Sequence, residues 1–149
     1  MRRLYARWRR WSAAERRLLF EAWRWLLEVR LALWVMPFRS AHQRYDVERV
    51  AARRGGRILA AAEPEAVATA IRRARRLVPA GTCLPQAMAA RALLARRGIG
   101  SDLRIGVGKD ARGRLQAHAW VEIEGRIIIG ELPDMARYRR LPDLPSDVP

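Results

Sequence analysis

Apolar residues in the first half of the chain recur at three- and four-residue spacing, which is the pattern of helices. Ser12 and Glu15 have the spacing of a capping box, so a long helix is expected to begin there. It should end at Met36, because the residue before a proline is disfavoured in a helix. Charged residues interrupt its apolar face, so it falls short of a membrane-spanning helix. We prefer a buried helix to the alternative of a helix on a membrane surface.

After residue 100 the pattern becomes that of a small antiparallel sheet, which gives an α+β fold. Two β-prone runs, Gln116–Ile123 and Arg126–Glu131, flank Glu124-Gly125, which predicts a hairpin with a two-residue loop. Both faces of this hairpin are largely apolar, so we expect the cysteine-bearing helix on one face and the N-terminal helices on the other. The remaining predicted elements are helices over 46–54 and 63–77, a helix from residue 83, a strand over 103–108, a turn over 109–114, and a segment from residue 135 that is either irregular or a short helical turn.

Cys83 is the only cysteine, and it lies at the start of a predicted helix. Thr82 is a suitable N-cap, Pro85 is tolerated in the first turn, and Gly98 is a C-terminal stop. The unpaired N–H groups and the positive end of the helix dipole favour a thiolate there, and they can also hold an oxyanion. The N–H of Cys83 is the preferred oxyanion donor, and Gln86 is a weaker candidate one turn along. The sequence therefore predicts a cysteine nucleophile.

His118 is the predicted base for this thiol, and Glu131 is the predicted acid that orients it. With a two-residue loop, Ile123 pairs with Arg126 and His118 pairs with Glu131, so the carboxylate and the imidazole share one face. A three-residue loop would instead place Leu132 opposite the histidine. A Cys-His-acid set in this order is typical of thiol acyl transfer. The other histidine, His42, falls in a linker between helices and receives no catalytic role.

These residues resemble the transglutaminase-like leader peptidases of lasso-peptide biosynthesis over roughly residues 79–141. The resemblance departs from that family at one point: the acid is usually Asp, whereas this chain has Glu131, with Asp134 three residues on. Asp134 therefore stays open as the alternative acid. The resemblance is carried by Cys83-Leu84, Gln86-Ala87, the run Ala117-His118-Ala119-Trp120-Val121-Glu122, and Gly125.

The resemblance implies a papain-like or transglutaminase-like core and a cysteine protease that removes the leader of a lasso precursor peptide. Gln86 and Trp120 are assigned to substrate binding beside the catalytic set. The implied partners are the leader itself, a separate leader-recognition protein, and the cyclase that uses the amine freed by cleavage. The helical N-terminal region lacks the strands of a recognition domain, which is why that domain is expected on another protein.

Charge is distributed unevenly along the chain, whose formal net charge is +15. Residues 1–80 contain 19 Arg against 7 acids, whereas residues 81–149 contain 11 Arg or Lys against 8 acids. This predicts a basic helical region over 1–78 and a catalytic core over 79–149. The basic region, with Tyr5, Trp8 and Trp11 at three-residue spacing, is a candidate surface for an acidic peptide or protein, a nucleic acid or an anionic membrane surface. Solvated arginine on helix faces is the alternative.

Composition restricts the remaining classes of function. One cysteine permits no intramolecular disulfide, which is typical of a cytoplasmic protein, and one Cys with two His is too few for a structural zinc site. No cofactor and no nucleic-acid motif are predicted. Three alternatives stay open: another transglutaminase-like acyl transferase or deamidase, a non-catalytic basic binding module, and a purely structural role for Cys83, His118 and Glu131.

Overall fold

The computed structural model describes residues 11–45, 63–78 and 82–142. Four α-helices and a four-stranded antiparallel sheet make up this part of the chain, so the predicted α+β class is confirmed. The predicted helix over 46–54 and most of the basic N-terminal segment lie outside these ranges. The helices are α1 (Ala13–Val35), α2 (Phe38–Arg44), α3 (Pro64–Ala74) and α4 (Cys83–Ala95), and the strands are β1 (Asp102–Lys109), β2 (Leu115–Ile123), β3 (Arg126–Ile129) and β4 (Arg139–Arg140).

The first helix begins and ends where the sequence predicts. The Glu15 carboxylate accepts a hydrogen bond from the Ser12 N–H at 2.8 Å, and the Ser12 hydroxyl accepts one from the Glu15 N–H at 3.1 Å, which forms the capping box. Met36 is the C-cap before Pro37. No helix of the described residues is long and apolar enough to cross a membrane.

Helices α1, α3 and α4 pack against one another and form most of the hydrophobic core. An ion pair at 2.8 Å joins Arg97, just after α4, to Glu21 of α1. Both side chains of this pair are largely shielded from solvent. Among the described residues, the largest fully buried side chains are Leu26, Ile71, Met88, Leu93, Leu94, Val29, Val67 and Val121.

The helix α2 is a correction to the predicted linker, and it contains His42. Its C-cap Tyr45 is buried and makes an edge contact with Trp25, with ring centroids 5.9 Å apart. This aromatic contact fastens the short helix to α1, so tertiary packing stabilises a segment whose local signals are weak.

The sheet has the strand order β3-β2-β1-β4, and β2 is paired along its length with β1. Asp110 shapes the turn between them by accepting hydrogen bonds from the backbone N–H groups of Arg112 and Arg114. The backbone and side-chain hydrogen bonds from Arg114, followed by the backbone bond from Arg112, hold the pKa of Asp110 below its usual value. β4, which the sequence did not predict, adds a second partner to β1 near Gly106.

The hairpin of β2 and β3 has the predicted two-residue loop but not the predicted ladder. Glu124 and Gly125 both have positive φ, as a type I′ turn requires, and Ile123 pairs with Arg126. The register then shifts, because Val121 pairs with Ile129 and leaves Ile128 as a bulge. The predicted pairing of His118 with Glu131 is therefore wrong, since β3 ends before either residue is reached.

The two faces of the sheet are covered differently, which corrects the predicted arrangement of helices on both sides. The helical face, which carries Ala119 and Val121, packs on the core formed by the helices. The bulge brings Ile129 to this face as well. The opposite face, which we call the histidine face, carries His118, Trp120 and Glu122 on alternate positions of β2. On this face Trp120 and Tyr138 pack against His118.

Candidate active site

Cys83 is the first residue of α4, as predicted, with Thr82 at the N-cap position. The threonine hydroxyl makes no capping bond; instead Gln86 donates its side-chain amide to the Thr82 carbonyl at 3.0 Å. The first N–H groups of a helix have no partner within the helix. The thiol, which is free and half-buried, therefore stands beside backbone donors that can stabilise negative charge.

His118 lies on the part of β2 that β3 does not cover. The β3 ladder ends at the pair of Val121 and Ile129, so beyond this point β2 is flanked on that side by the loop from Gly130 onward. The imidazole is buried, with 8% of the residue exposed. The loop after β3, and not a paired strand, therefore lies beside the histidine.

A cleft of about 390 Å³ beside this loop is lined by both Cys83 and His118. One wall comes from α3, its 3₁₀ extension and the start of α4, and the other from β2 and the loop after β3. The cleft brings together four of the five predicted site residues. Its lining residues are Arg72, Arg75, Cys83, Gln86, Ala87, His118, Ala119, Ile129, Gly130, Glu131 and Leu132.

The imidazole is held by the main chain at Gly130. Its Nε2 lies 2.5 Å from the Gly130 carbonyl oxygen. Because a carbonyl oxygen can only accept, Nε2 carries the proton, and in the neutral ring Nδ1 is the unprotonated nitrogen. Glu131 is exposed and lines the same cleft, and its carboxylate makes no hydrogen bond or ion pair with the described residues.

Trp120 is the one predicted site residue that does not line the cleft. It is 4% exposed and stacks on His118, with ring centroids 6.0 Å apart and an interplanar angle of 20°. Its indole N–H donates to Glu122 at 2.7 Å, and Arg104 donates to the other carboxylate oxygen at 3.2 Å. Tyr138 also packs against the imidazole, at 5.2 Å between centroids.

Asp134, the alternative acid, is engaged elsewhere. It precedes a 3₁₀ turn, Met135–Arg137, and forms an ion pair with Arg137 at 2.9 Å. It is not among the residues that line the cleft. No group of three or more His, Cys, Asp or Glu that could hold a metal ion occurs in the described part of the chain.

A family model described as "Transglutaminase-like superfamily" matches residues 23–143, which is most of the chain. The chain belongs to the transglutaminase-like superfamily. Members of this superfamily are generally cysteine-dependent enzymes, which accords with a thiol and an imidazole in one cleft. No curated protein and no solved structure gives a significant match. The match begins within α1, so it includes helices of the predicted N-terminal region; the division at residue 78 stays a prediction.

Sequence reasoning missed Gly130 and Tyr138 as neighbours of the histidine. A signal for Gly130 was present, because three consecutive isoleucines before a glycine break the alternation of a regular strand and indicate a bulge. Tyr138 had no such signal, since its position depends on how the chain returns to β1 after residue 130.

Proposed function

We propose that this transglutaminase-like protein is a cysteine peptidase that removes the leader from a lasso precursor peptide. The observation that carries the proposal is that Cys83, at a helix start, and His118, beside the open end of β3, line one cleft. The sequence resemblance to lasso leader peptidases supports the choice of substrate within the superfamily. Leader cleavage frees the amine that a separate cyclase would use.

In this mechanism the Cys83 thiol gives its proton to Nδ1 of His118, and the thiolate attacks the carbonyl carbon of the scissile bond. The backbone N–H of Cys83 stabilises the oxyanion. Nδ1 returns the proton to the leaving amine, which departs as the core peptide, and the leader remains as a thioester. Water, deprotonated by His118, then attacks the thioester carbonyl and releases the leader acid and the thiol.

Leader release from a precursor encoded beside this chain tests the proposal, with the separate recognition protein present and mass spectrometry as the readout. Cys83→Ala should abolish release and leave the circular dichroism spectrum unchanged. Arg112→Ala, in the exposed turn between β1 and β2, is the control and should be as active as the parent. Normal release by Cys83→Ala would overturn the proposal.

Two other outcomes separate the alternatives. Modification of a glutamine in an intact peptide, with no release of the leader, would identify a deamidase or another acyl transferase of the same superfamily. Alkylation of Cys83 that is equally slow in the parent and in His118→Ala near neutral pH would favour a non-catalytic protein. The single cysteine makes this labelling unambiguous.

Charge in the cleft supports a peptide substrate with acidic residues. Arg72 and Arg75 line the cleft from the helical wall, and both are exposed. We infer that they attract the substrate, as the basic N-terminal region is proposed to do for the leader or its recognition protein. Arg75→Ala should raise KM and leave kcat largely unchanged, and deletion of residues 1–10 should weaken partner binding while the catalytic part stays folded. If neither KM nor partner binding changes, the cleft arginines and the basic N-terminal region have no role in recognition.

A further inference from the structure

We propose that the main-chain carbonyl of Gly130, and not a carboxylate, is the group that orients His118 for its role as a base. This inference rests on the proposed function, because it concerns the same histidine. Within that function it replaces Glu131 with a backbone acceptor as the positioning group. The proposal stands on three independent features of the structure: the contact itself, the conformation of residue 130, and the surroundings of the ring.

The contact determines which nitrogen is available for catalysis. The Gly130 oxygen lies 2.5 Å from Nε2, which fixes the proton on that nitrogen. Nδ1 is therefore the nitrogen left to accept a proton from the Cys83 thiol. This is the role that an orienting acid has in Cys-His-acid sites, where it selects the tautomer and the direction of the ring.

The conformation of residue 130 shows why this position is a glycine. Its φ is +92°, a region that residues with a side chain rarely adopt. A Cβ at this position would lie 2.7 Å from Trp120 Cβ and 2.8 Å from the Ala119 carbonyl oxygen. The chain can thus come this close to β2, with its carbonyl directed at His118, only if residue 130 has no side chain.

The surroundings of the ring leave little need for an acid. Trp120 and Tyr138 pack against the ring, so the backbone bond and two aromatic contacts already fix its orientation. Glu131 is exposed, and Asp134 is paired with Arg137. The bulge at Ile128 shifts the register by one residue, and the ladder then ends at Ile129, so Glu131 does not come opposite His118.

The test combines kinetics with the protonation state of the ring. The chain has only two histidines, so ¹⁵N spectra of histidine-labelled protein can be assigned with a His42→Gln variant. We expect His118 as the Nε2–H tautomer in the parent and in Glu131→Gln. Leader release by Glu131→Gln and by Asp134→Asn should stay within about threefold of the parent. An Nδ1–H tautomer in the parent, or a loss of a hundredfold or more in Glu131→Gln, would overturn the inference.

Gly130→Ala tests the backbone carbonyl directly, because a side chain at residue 130 would displace it from His118. Gly125→Ala is the matched control. Both glycines have positive φ in the same hairpin, at +92° and +79°, but a Cβ at Gly125 meets nothing within 4 Å. Gly125→Ala should keep its activity, whereas Gly130→Ala should lose at least a hundredfold and show a changed His118 Nε2–H signal. If Gly130→Ala does not fold, the tautomer and the Glu131→Gln rate still decide the matter. Inactive Cys83→Ala together with crippled Glu131→Gln would refute this inference and leave the proposed function standing.

Discussion

The helical face and the histidine face of the sheet are both well packed, but they are packed by different means. On the helical face, Val121 and Ile129 are buried against α-helices, so their contribution is removal of apolar surface from water. On the histidine face, His118 is held between aromatic rings and a backbone carbonyl. Burial of aliphatic groups has no preferred direction, whereas ring stacking and hydrogen bonds do. Both faces therefore contribute to stability, and the histidine face also orients the imidazole.

Loss of the histidine should have the largest effect on activity and a small effect on the fold. His118→Ala should lower leader release about a thousandfold or more, because general-base catalysis and activation of the thiol are lost together. His42→Ala, which removes the only other histidine, is the control and should retain its activity. Comparable rates for these two variants would contradict the assignment of the base.

Adjacent residues of β2 allow the two faces to be compared directly. Trp120→Ala should lower the free energy of unfolding by about 3–5 kcal/mol, and Val121→Ala by about 2 kcal/mol. Only Trp120→Ala should also lower the rate per folded molecule, because its ring packs against the imidazole.

Urea denaturation and active-site titration with an alkylating reagent measure the two quantities separately. Trp34→Ala serves as the control for loss of an indole, since Trp34 is 85% exposed and the change should cost under about 0.5 kcal/mol. An equal loss of rate in Trp120→Ala and Val121→Ala would remove the distinction between the faces.

Loss of Glu122, which accepts the hydrogen bond from the Trp120 indole N–H, should have an intermediate effect on stability. Glu122→Ala leaves the N–H of Trp120 buried without its partner, which should cost about 1–3 kcal/mol. Glu122→Gln keeps an acceptor oxygen and should cost less, although it loses the charge facing Arg104. Urea midpoints of the two variants check this order, and a larger loss in Glu122→Gln would contradict it.

The smallest effect is expected at the helical face's edge, where Arg126 of β3 pairs with Glu65 of α3 at 2.6 Å in solvent. Arg126→Ala should change the urea midpoint less than Glu122→Ala does. The pKa of Glu65 is lowered, first by a backbone N–H at the helix start and then by the Arg126 hydrogen bond. A carboxyl group whose pKa is lower in the folded protein stabilises the fold at pH values above its pKa in the unfolded chain. The stability difference between the parent and Arg126→Ala should therefore vanish as the pH falls through the pKa of Glu65 in the folded protein.

The sequence was sufficient for elements that depend on local chemistry. The capping box of Ser12 and Glu15, the stop before Pro37 and the two-residue loop at Glu124-Gly125 are each set by neighbouring residues, and all three are confirmed. The start of α4 at Cys83 is confirmed for the same reason.

Features that depend on distant contacts were not predictable in the same way. The strand pairing predicted from a two-residue loop assumed a regular ladder. The bulge at Ile128 adds one residue to β3 and so changes every pair beyond it, including the partner predicted for His118. The packing of both α3 and α4 against one face of the sheet also could not be read from the pattern. The apolar face that carries Trp120 was expected to pack against a helix. Trp120 is instead buried with its ring stacked on His118, on the same face of the sheet.

The way Trp120 is buried links its identity to that of a residue on the next strand. A Cβ at Gly106 would lie 2.9 Å from Trp120 Cη2 and 3.2 Å from the Arg139 carbonyl, so the indole rests on bare backbone. In protein design, the residues at positions 106 and 120 must therefore be chosen together. A sequence that gains a side chain at 106 must first exchange the tryptophan for a smaller ring, and this order of changes restricts the mutational routes open to the fold.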